Sequence, residues 1–215
     1  MSADRLGWML VGASYLAGSV PFGLLLARFV AGVDVRQSGS GNIGATNVAR
    51  TAGKRLGVLT LLLDAGKGSL AVGVTALAMG APHDGDWAAA AGLAAFLGHV
   101  FPIWLGFRGG KGVATALGIF VVLSPWLALL SALVFGAIFG ATRVASVASI
   151  SAAAVMAAGC AMFHGLESPV TRVAAVAFLV ILVRHQANIR RMIQGQESGL
   201  GPTRSGWRSS RRRDG

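Results

Sequence analysis

Apolar residues in this chain come in long runs separated by short polar stretches. The first run extends from about Leu6 to Val30, interrupted only by small residues and by Ser19-Val20-Pro21. At about 1.5 Å per residue it crosses a hydrocarbon core of about 30 Å with room for tilt. Pro21 lacks a backbone donor and predicts a kink in this span. Further runs cover about Leu56 to Met79 and about Trp87 to Leu105. The stretch from Val113 to Ala141 is too long for one comfortable crossing, and Ser124-Pro125 near its middle predicts two shorter helices. The last two helices are predicted over about Ser146 to Phe163 and Val170 to Val183.

The polar connections set an orientation. Gly80 to Asp86 carries Asp84 and Asp86 without lysine or arginine, and His164 to Pro169 carries Glu167. The cations fall on the alternate connections: Arg36, Arg50, Lys54 and Arg55, then Arg108 and Lys111, then Arg143, then Arg184, Arg190 and Arg191. The excess of Lys and Arg on cytoplasmic loops puts all of these on one side. The expected fold is an all-α polytopic integral membrane protein with about seven transmembrane helices, some short. Its N-terminus is expected outside and its C-terminus in the cytoplasm. Residues 1–195 are expected to form one membrane-embedded domain. Residues 196–215, rich in Gly, Ser and Arg, are expected to form a disordered basic tail at anionic headgroups.

Composition agrees. Of 215 residues 54% are hydrophobic and 13% charged, against about 25% charged in a soluble domain. The formal charge of +11 lies in the loops and in the tail, where Arg204, Arg208, Arg211, Arg212 and Arg213 cluster. A lipid surface accounts for that placement, so no nucleic-acid partner is expected. Cys160 is the single cysteine, which excludes a disulfide within the chain and a cysteine-based metal site.

Charge alone would bring arginines to one face. It does not explain the serines, asparagines, glycines and histidines that gather beside them. Ser38 to Arg50 holds hydroxyls, amides, glycines and an arginine with no acidic side chain, an inventory suited to an anion. Ser40, Gly41, Asn42, Gly44, Thr46, Asn47 and Arg50 are its candidate contacts. A second stretch, Gly98 to Gly112, adds His99, Arg108, Gly109, Gly110 and Lys111. His185 and Asn188 are three apart and share a helical face, as do Ser146 and Ser149, although membrane serines equally pack helices. Asp64 and Lys67 have the same spacing. They read either as a mutually neutralising pair or as placing Lys67 toward the same anion.

Two familiar patterns are set aside. Gly39-x-Gly41-x-x-Gly44 lies between membrane spans rather than in a strand–helix unit. Gly109-Gly110-Lys111 is followed by Gly112, not by the Ser or Thr of a nucleotide loop, and no acidic residue stands near to hold magnesium. The four histidines are scattered and no Asp or Glu stands beside His99 or His185, so neither metal nor cofactor is expected.

Three blocks carry a family resemblance: Ser-Gly-Asn-Ile-Gly-Ala-Thr-Asn-Val-Ala-Arg at 40–50, Gly-His-Val-Phe-Pro through Phe-Arg-Gly-Gly-Lys-Gly-Val-Ala-Thr at 98–115, and Arg-His-x-x-Asn-Ile-x-Arg at 184–191. In this order they resemble the bacterial PlsY family, the acyl-phosphate:glycerol-3-phosphate acyltransferases, from Gly18 to about Glu197. The resemblance implies a cell-membrane enzyme with its active site facing the cytoplasm. It would move an acyl group from acyl phosphate to the sn-1 hydroxyl of glycerol 3-phosphate, giving lysophosphatidic acid and phosphate for phospholipid synthesis. It would work as a monomer, in possible contact with the enzyme that makes acyl phosphate. No histidine here has Asp after four intervening residues, the motif of acyl-CoA-using glycerolipid acyltransferases.

The expected catalytic residues are Ser40, Arg50, His99, Lys111, His185 and Asn188. Ser40, Arg50, Lys111 and the amides of 41–44 are expected to hold phosphates. His99, His185 or a substrate phosphate oxygen could take the hydroxyl proton. The rival reading is a transporter of phosphate or a phosphorylated solute, since cations near membrane depth suit that function too.

Overall fold

The structure, a computed structural model, describes residues 2–197. Every regular element among the described residues is helical. Among the described residues ten α-helices follow in order: α1 Ala3–Gly18, α2 Phe22–Ala31, α3 Ala45–Thr51, α4 Lys54–Met79, α5 Asp86–Val100, α6 Val113–Leu123, α7 Pro125–Thr142, α8 Ala145–His164, α9 Pro169–Arg184 and α10 Gln186–Ile193. The expected basic tail lies almost entirely outside the described residues.

Among the described residues five segments are long and apolar enough to cross a membrane: Ala3–Ala31, Lys54–Met79, Asp86–Leu105, Pro125–Thr142 and Ala145–His164. A sixth forms if α9 and α10, bent by 53°, count as one span. α6 has 11 residues and reaches only about 16 Å, about half of a hydrocarbon core. Leu62, Leu70 and Leu77 stand exposed along α4, as do Leu133 on α7 and Met162 on α8, an outward apolar surface that only lipid solvates well.

Both prolines expected to interrupt a helix do so. α1 stops at Gly18 and α2 starts at Phe22 just after Pro21, an interruption within a stretch, Ala3–Ala31, that still counts as one span. Ser124-Pro125 divides α6 from α7, with Pro125 in the first turn where its missing N–H costs nothing. Ser124 Oγ lies 3.0 Å from His164 Nε2. The α6–α7 turn and the α8–α9 connection therefore share one end of the bundle. Trp8 and Trp87 meet edge to face with centroids 5.3 Å apart, which brings the start of α1 to the start of α5.

The core centres on α5 and α6. Phe96, Val100, Ile119, Phe120, Leu123 and Ile181 are almost wholly buried there. α4 lies against α6 where Gly68 faces the Thr115 carbonyl and Gly118 faces the Ala65 carbonyl. A β-carbon at either position would strike backbone, so this pair of glycines sets how closely the two helices pack. A second apolar cluster joins Leu24 and Ala27 of α2 to Val35, Ile43 and Val48. It clamps the 35–48 segment onto the bundle and fixes the polar loop that the site is built on.

Candidate active site

The loop between α2 and α3 folds around one side chain. Asn47, almost wholly buried, donates through Nδ2 to the carbonyls of Val35 (2.9 Å), Ser38 (3.0 Å) and Asn42 (2.9 Å). Its Oδ1 accepts the Ser40 N–H at 2.8 Å. Asn42 Oδ1 accepts the Gly44 N–H at 2.8 Å, turning the chain into α3. Gly39 and Gly41 have φ of 61° and 70°, the left-handed region that a side chain would strain. The polarity of this segment thus serves two ends, holding its own backbone and lining a cavity.

That cavity has a volume of about 700 Å³. One end is polar, with Ser40, Thr46, Arg50, Lys111, His185 and Asn188 in its wall. The other runs between helices past Leu117, Phe135, Met156 and Phe178. A phosphate-sized polar group and a long apolar chain fit the two ends of one space.

The cationic end is cross-braced. Lys111 Nζ donates to Asn188 Oδ1 at 2.5 Å. Burial pushes the Lys111 ammonium down to about 8; the Glu197 carboxylate opposes that, and Arg191, Arg184 and Arg50 add to it. Glu197 accepts from Asn188 Nδ2 (2.5 Å), Ser146 Oγ (2.9 Å) and Arg191 Nε (2.7 Å). Those three bonds and the neighbouring arginine hold its carboxyl below the usual range against burial, which acts the other way. Arg50 has no ion-pair partner among the described residues. His185 Nδ1 lies 2.8 Å from the Ile181 carbonyl. A carbonyl only accepts, so Nδ1 carries the proton and Nε2 is left as an acceptor.

The glycerol-3-phosphate acyltransferase family model matches residues 8–195. The chain belongs to that family. A glycerol-3-phosphate acyltransferase of Anaeromyxobacter sp. (strain Fw109-5) is 55% identical over 201 residues, 93% of this chain and 99% of that protein. One from Myxococcus xanthus (strain DK1622) is 48% identical over 188 residues, 87% and 96% of the two chains. The crystal structure of PlsY, an integral membrane glycerol 3-phosphate acyltransferase, in its glycerol 3-phosphate form superposes with a TM-score of 0.84 at 42% identity. It covers 91% of this chain and 96% of its own. The lysophosphatidic acid form gives 0.81 at 41%, covering 91% and 95%. The PlsY resemblance is thereby shown, and with it the integral membrane fold. The transporter reading is not favoured.

Most of the expected site converges. Ser40, Asn42, Gly44, Thr46, Asn47 and Arg50 reach the cavity from the first loop. His99, Lys111, Ser146, Ser149, His185 and Asn188 reach it from the other elements. Asn47 borders the space with its amide already engaged, and the Ser149 hydroxyl donates to the Ala145 carbonyl of its own helix at 2.7 Å. Arg108, Gly41 and Gly109 instead line a neighbouring cleft with Arg36 and Arg184. Gly110 packs against the His99 ring, and its carbonyl and that of Gly109 accept from Arg184. Glu197, Arg191 and Asp64 line the cavity without having been expected there. The available signal was a lone carboxylate following a run of cations. Among the described residues no three His, Cys, Asp or Glu side chains gather as metal ligands.

Proposed function

We propose that this protein transfers an acyl group from acyl phosphate to the sn-1 hydroxyl of glycerol 3-phosphate, releasing lysophosphatidic acid and inorganic phosphate. The observation that carries this is the single cavity whose cationic end passes directly into an apolar channel. Phosphate is a good leaving group, so an acyl phosphate needs no covalent enzyme intermediate. The enzyme's task is to align hydroxyl with carbonyl and to stabilise the tetrahedral oxyanion. Lys111, Arg50, Ser40 and the adjoining backbone amides bind the two phosphates. Asn188 and Glu197 hold Lys111 and Ser146 in register. The hydroxyl oxygen bonds to the acyl carbon, the acyl–phosphate bond breaks, and the hydroxyl proton passes to His185 Nε2 or to a phosphate oxygen.

The reaction takes place at the cytoplasmic face of the cell membrane, with the N-terminus outside and seven membrane-embedded helices. Positive charge on the connections that carry the site supports that orientation. The working unit in this reading is a monomer that receives its donor from an enzyme that makes acyl phosphate. The catalytic domain in this reading comprises residues 1–195 together with Glu197, the first part of the expected tail being drawn into the site.

The test uses the detergent-purified chain with labelled glycerol 3-phosphate and either acyl phosphate or acyl-CoA. Labelled lysophosphatidate from acyl phosphate alone, abolished by Lys111→Ala, is the expected result. Product from acyl-CoA would overturn the donor assignment. A cysteine in place of Ser38 that reacts with impermeant reagent from outside intact cells would overturn the topology.

A further inference from the structure

Three ionisable groups sit deep in the helical bundle. Asp64 and Lys67 on α4 and His99 on α5 are each under a tenth exposed. Charges at such depth are costly unless mutually satisfied, and they commonly serve function. Lys67 Nζ lies 2.8 Å from Asp64 Oδ1, so the two charges neutralise each other. Nζ also donates to the Val20 carbonyl at 3.0 Å, at the helix break before Pro21. The Phe22 ring, its centroid 5.7 Å away, covers the same ammonium.

The remaining contact of Lys67 decides the chemistry of His99. Nζ stands 2.9 Å from His99 Nδ1. An ammonium has donors and no acceptor, so a proton on Nδ1 would face another donor at hydrogen-bonding distance. Nδ1 is therefore bare. Asp64 Oδ1 is 3.4 Å from the same nitrogen, too long for a good hydrogen bond. A neutral imidazole with bare Nδ1 carries its proton on Nε2. That nitrogen abuts Gly110, where there is no side chain to cover it. It has no hydrogen-bond partner among the described residues, and His99 borders the cavity.

We propose that His99 is a catalytic hydrogen-bond donor to a substrate oxygen, with its Nε2–H tautomer fixed by the buried Lys67–Asp64 pair. The inference rests on the acyl-transfer reading and deepens it. It removes His99 from the choice of general base: the hydroxyl proton cannot go to a nitrogen that already holds one. His185, with Nδ1 bonded to a carbonyl, presents the opposite face, an acceptor. Two buried histidines on one cavity thus offer one donor and one acceptor. Lys67 and Asp64 are positioning residues. Their role is exerted through the ring they orient, although Asp64 also borders the cavity.

The first test reads the tautomer in the wild-type protein. Histidine labelled with ¹⁵N is followed by long-range ¹⁵N–¹H correlation, and the His99 signals are assigned by their loss in His99→Gln. A protonated Nε2 with a bare Nδ1 between pH 6 and 8 supports the proposal; a protonated Nδ1 overturns it. The second test is kinetic. Glutamine places an N–H near the position of imidazole Nε2 but is no base. His99→Gln is expected to keep kcat within about tenfold of wild type, while His99→Ala loses about 10²–10³, the usual effect of removing an oxyanion donor. Equal loss in the two variants overturns the donor role. Lys67→Met is expected to lower kcat with little change in KM for glycerol 3-phosphate and to release the Nε2–H preference in the spectrum; an unchanged tautomer in that variant overturns the positioning role. If the wild-type protein makes no lysophosphatidate, the acyl-transfer reading fails, and the spectrum still decides the tautomer.

Discussion

Lys111 Nζ and Asn188 Oδ1 lie 2.5 Å apart across 77 positions of sequence. The bond ties the loop before α6 to the helix that follows α9, and so closes the cationic end of the cavity from two sides. Glu197 extends the tie, since it holds the other atom of the same amide. Replacing Lys111 by Ala is expected to reduce kcat/KM by about 10²–10³, as loss of one preorganised charged donor does. Initial rates with acyl phosphate and glycerol 3-phosphate check this. A reduction below tenfold would take Lys111 out of the phosphate site.

The same lysine gives a pH dependence. Burial lowers it to about 8 in the free protein. Below that pH the ammonium is charged and attracts a phosphate dianion; above it the charge is lost. kcat/KM for glycerol 3-phosphate, which reports ionisations of the free enzyme, is therefore expected to decline as pH rises through about 8. Lys111→Arg, charged across this range, is expected to lack that alkaline limb even if its rate is lower. An alkaline limb that persists unchanged in the arginine variant would assign it to another group.

Asn47 shows how far a sequence displays its site. Block 40–50 was readable as an anion loop because its residue types are rare between membrane spans. Which of them bind and which build was not readable, since the distinction depends on where the carbonyls of Val35, Ser38 and Asn42 turn. α3 escaped notice for a related reason: seven residues of polar sequence carry no long apolar period. The spans were legible from hydropathy, including the division at Pro125. Glu197 was not, because its partners Ser146 and Arg191 meet it only after α8 and α10 pack. Asn47→Ala leaves backbone groups unpaired, each at a cost of about 1–3 kcal/mol when buried. The variant is expected to keep its helices by circular dichroism, to be cleaved by protease between residues 36 and 46, and to lose activity. Resistance to cleavage equal to wild type would show that the loop does not depend on this amide.

Glu197 distinguishes hydrogen bonding from charge. Glutamine keeps an oxygen for Asn188 and Ser146 but gives up the ion pair with Arg191; alanine gives up both. If the bonds orient the site, Glu197→Gln should retain at least about a third of wild-type kcat/KM and Glu197→Ala less than about a tenth, the loss of bonds to a charged acceptor at about 1.5–3 kcal/mol each. Equal activity in the two variants would leave the ion pair as the only part that matters.

Gly118 tests packing without touching the cavity's polar end. A side chain there meets the Ala65 carbonyl, and backbone cannot move aside cheaply. Gly118→Val is expected to destabilise the protein by about 1–3 kcal/mol through overpacking, seen as a lower midpoint when monodispersity in detergent is followed against temperature. Because α6 starts directly after Lys111 and Gly112, displacing it moves the lysine as well. Activity at low temperature should fall along with stability in this variant, whereas Lys111→Ala should lose activity at an unchanged midpoint. The opposite pattern, full activity in a destabilised Gly118→Val, would mean that the α4–α6 contact supports the fold without setting the position of the cationic loop.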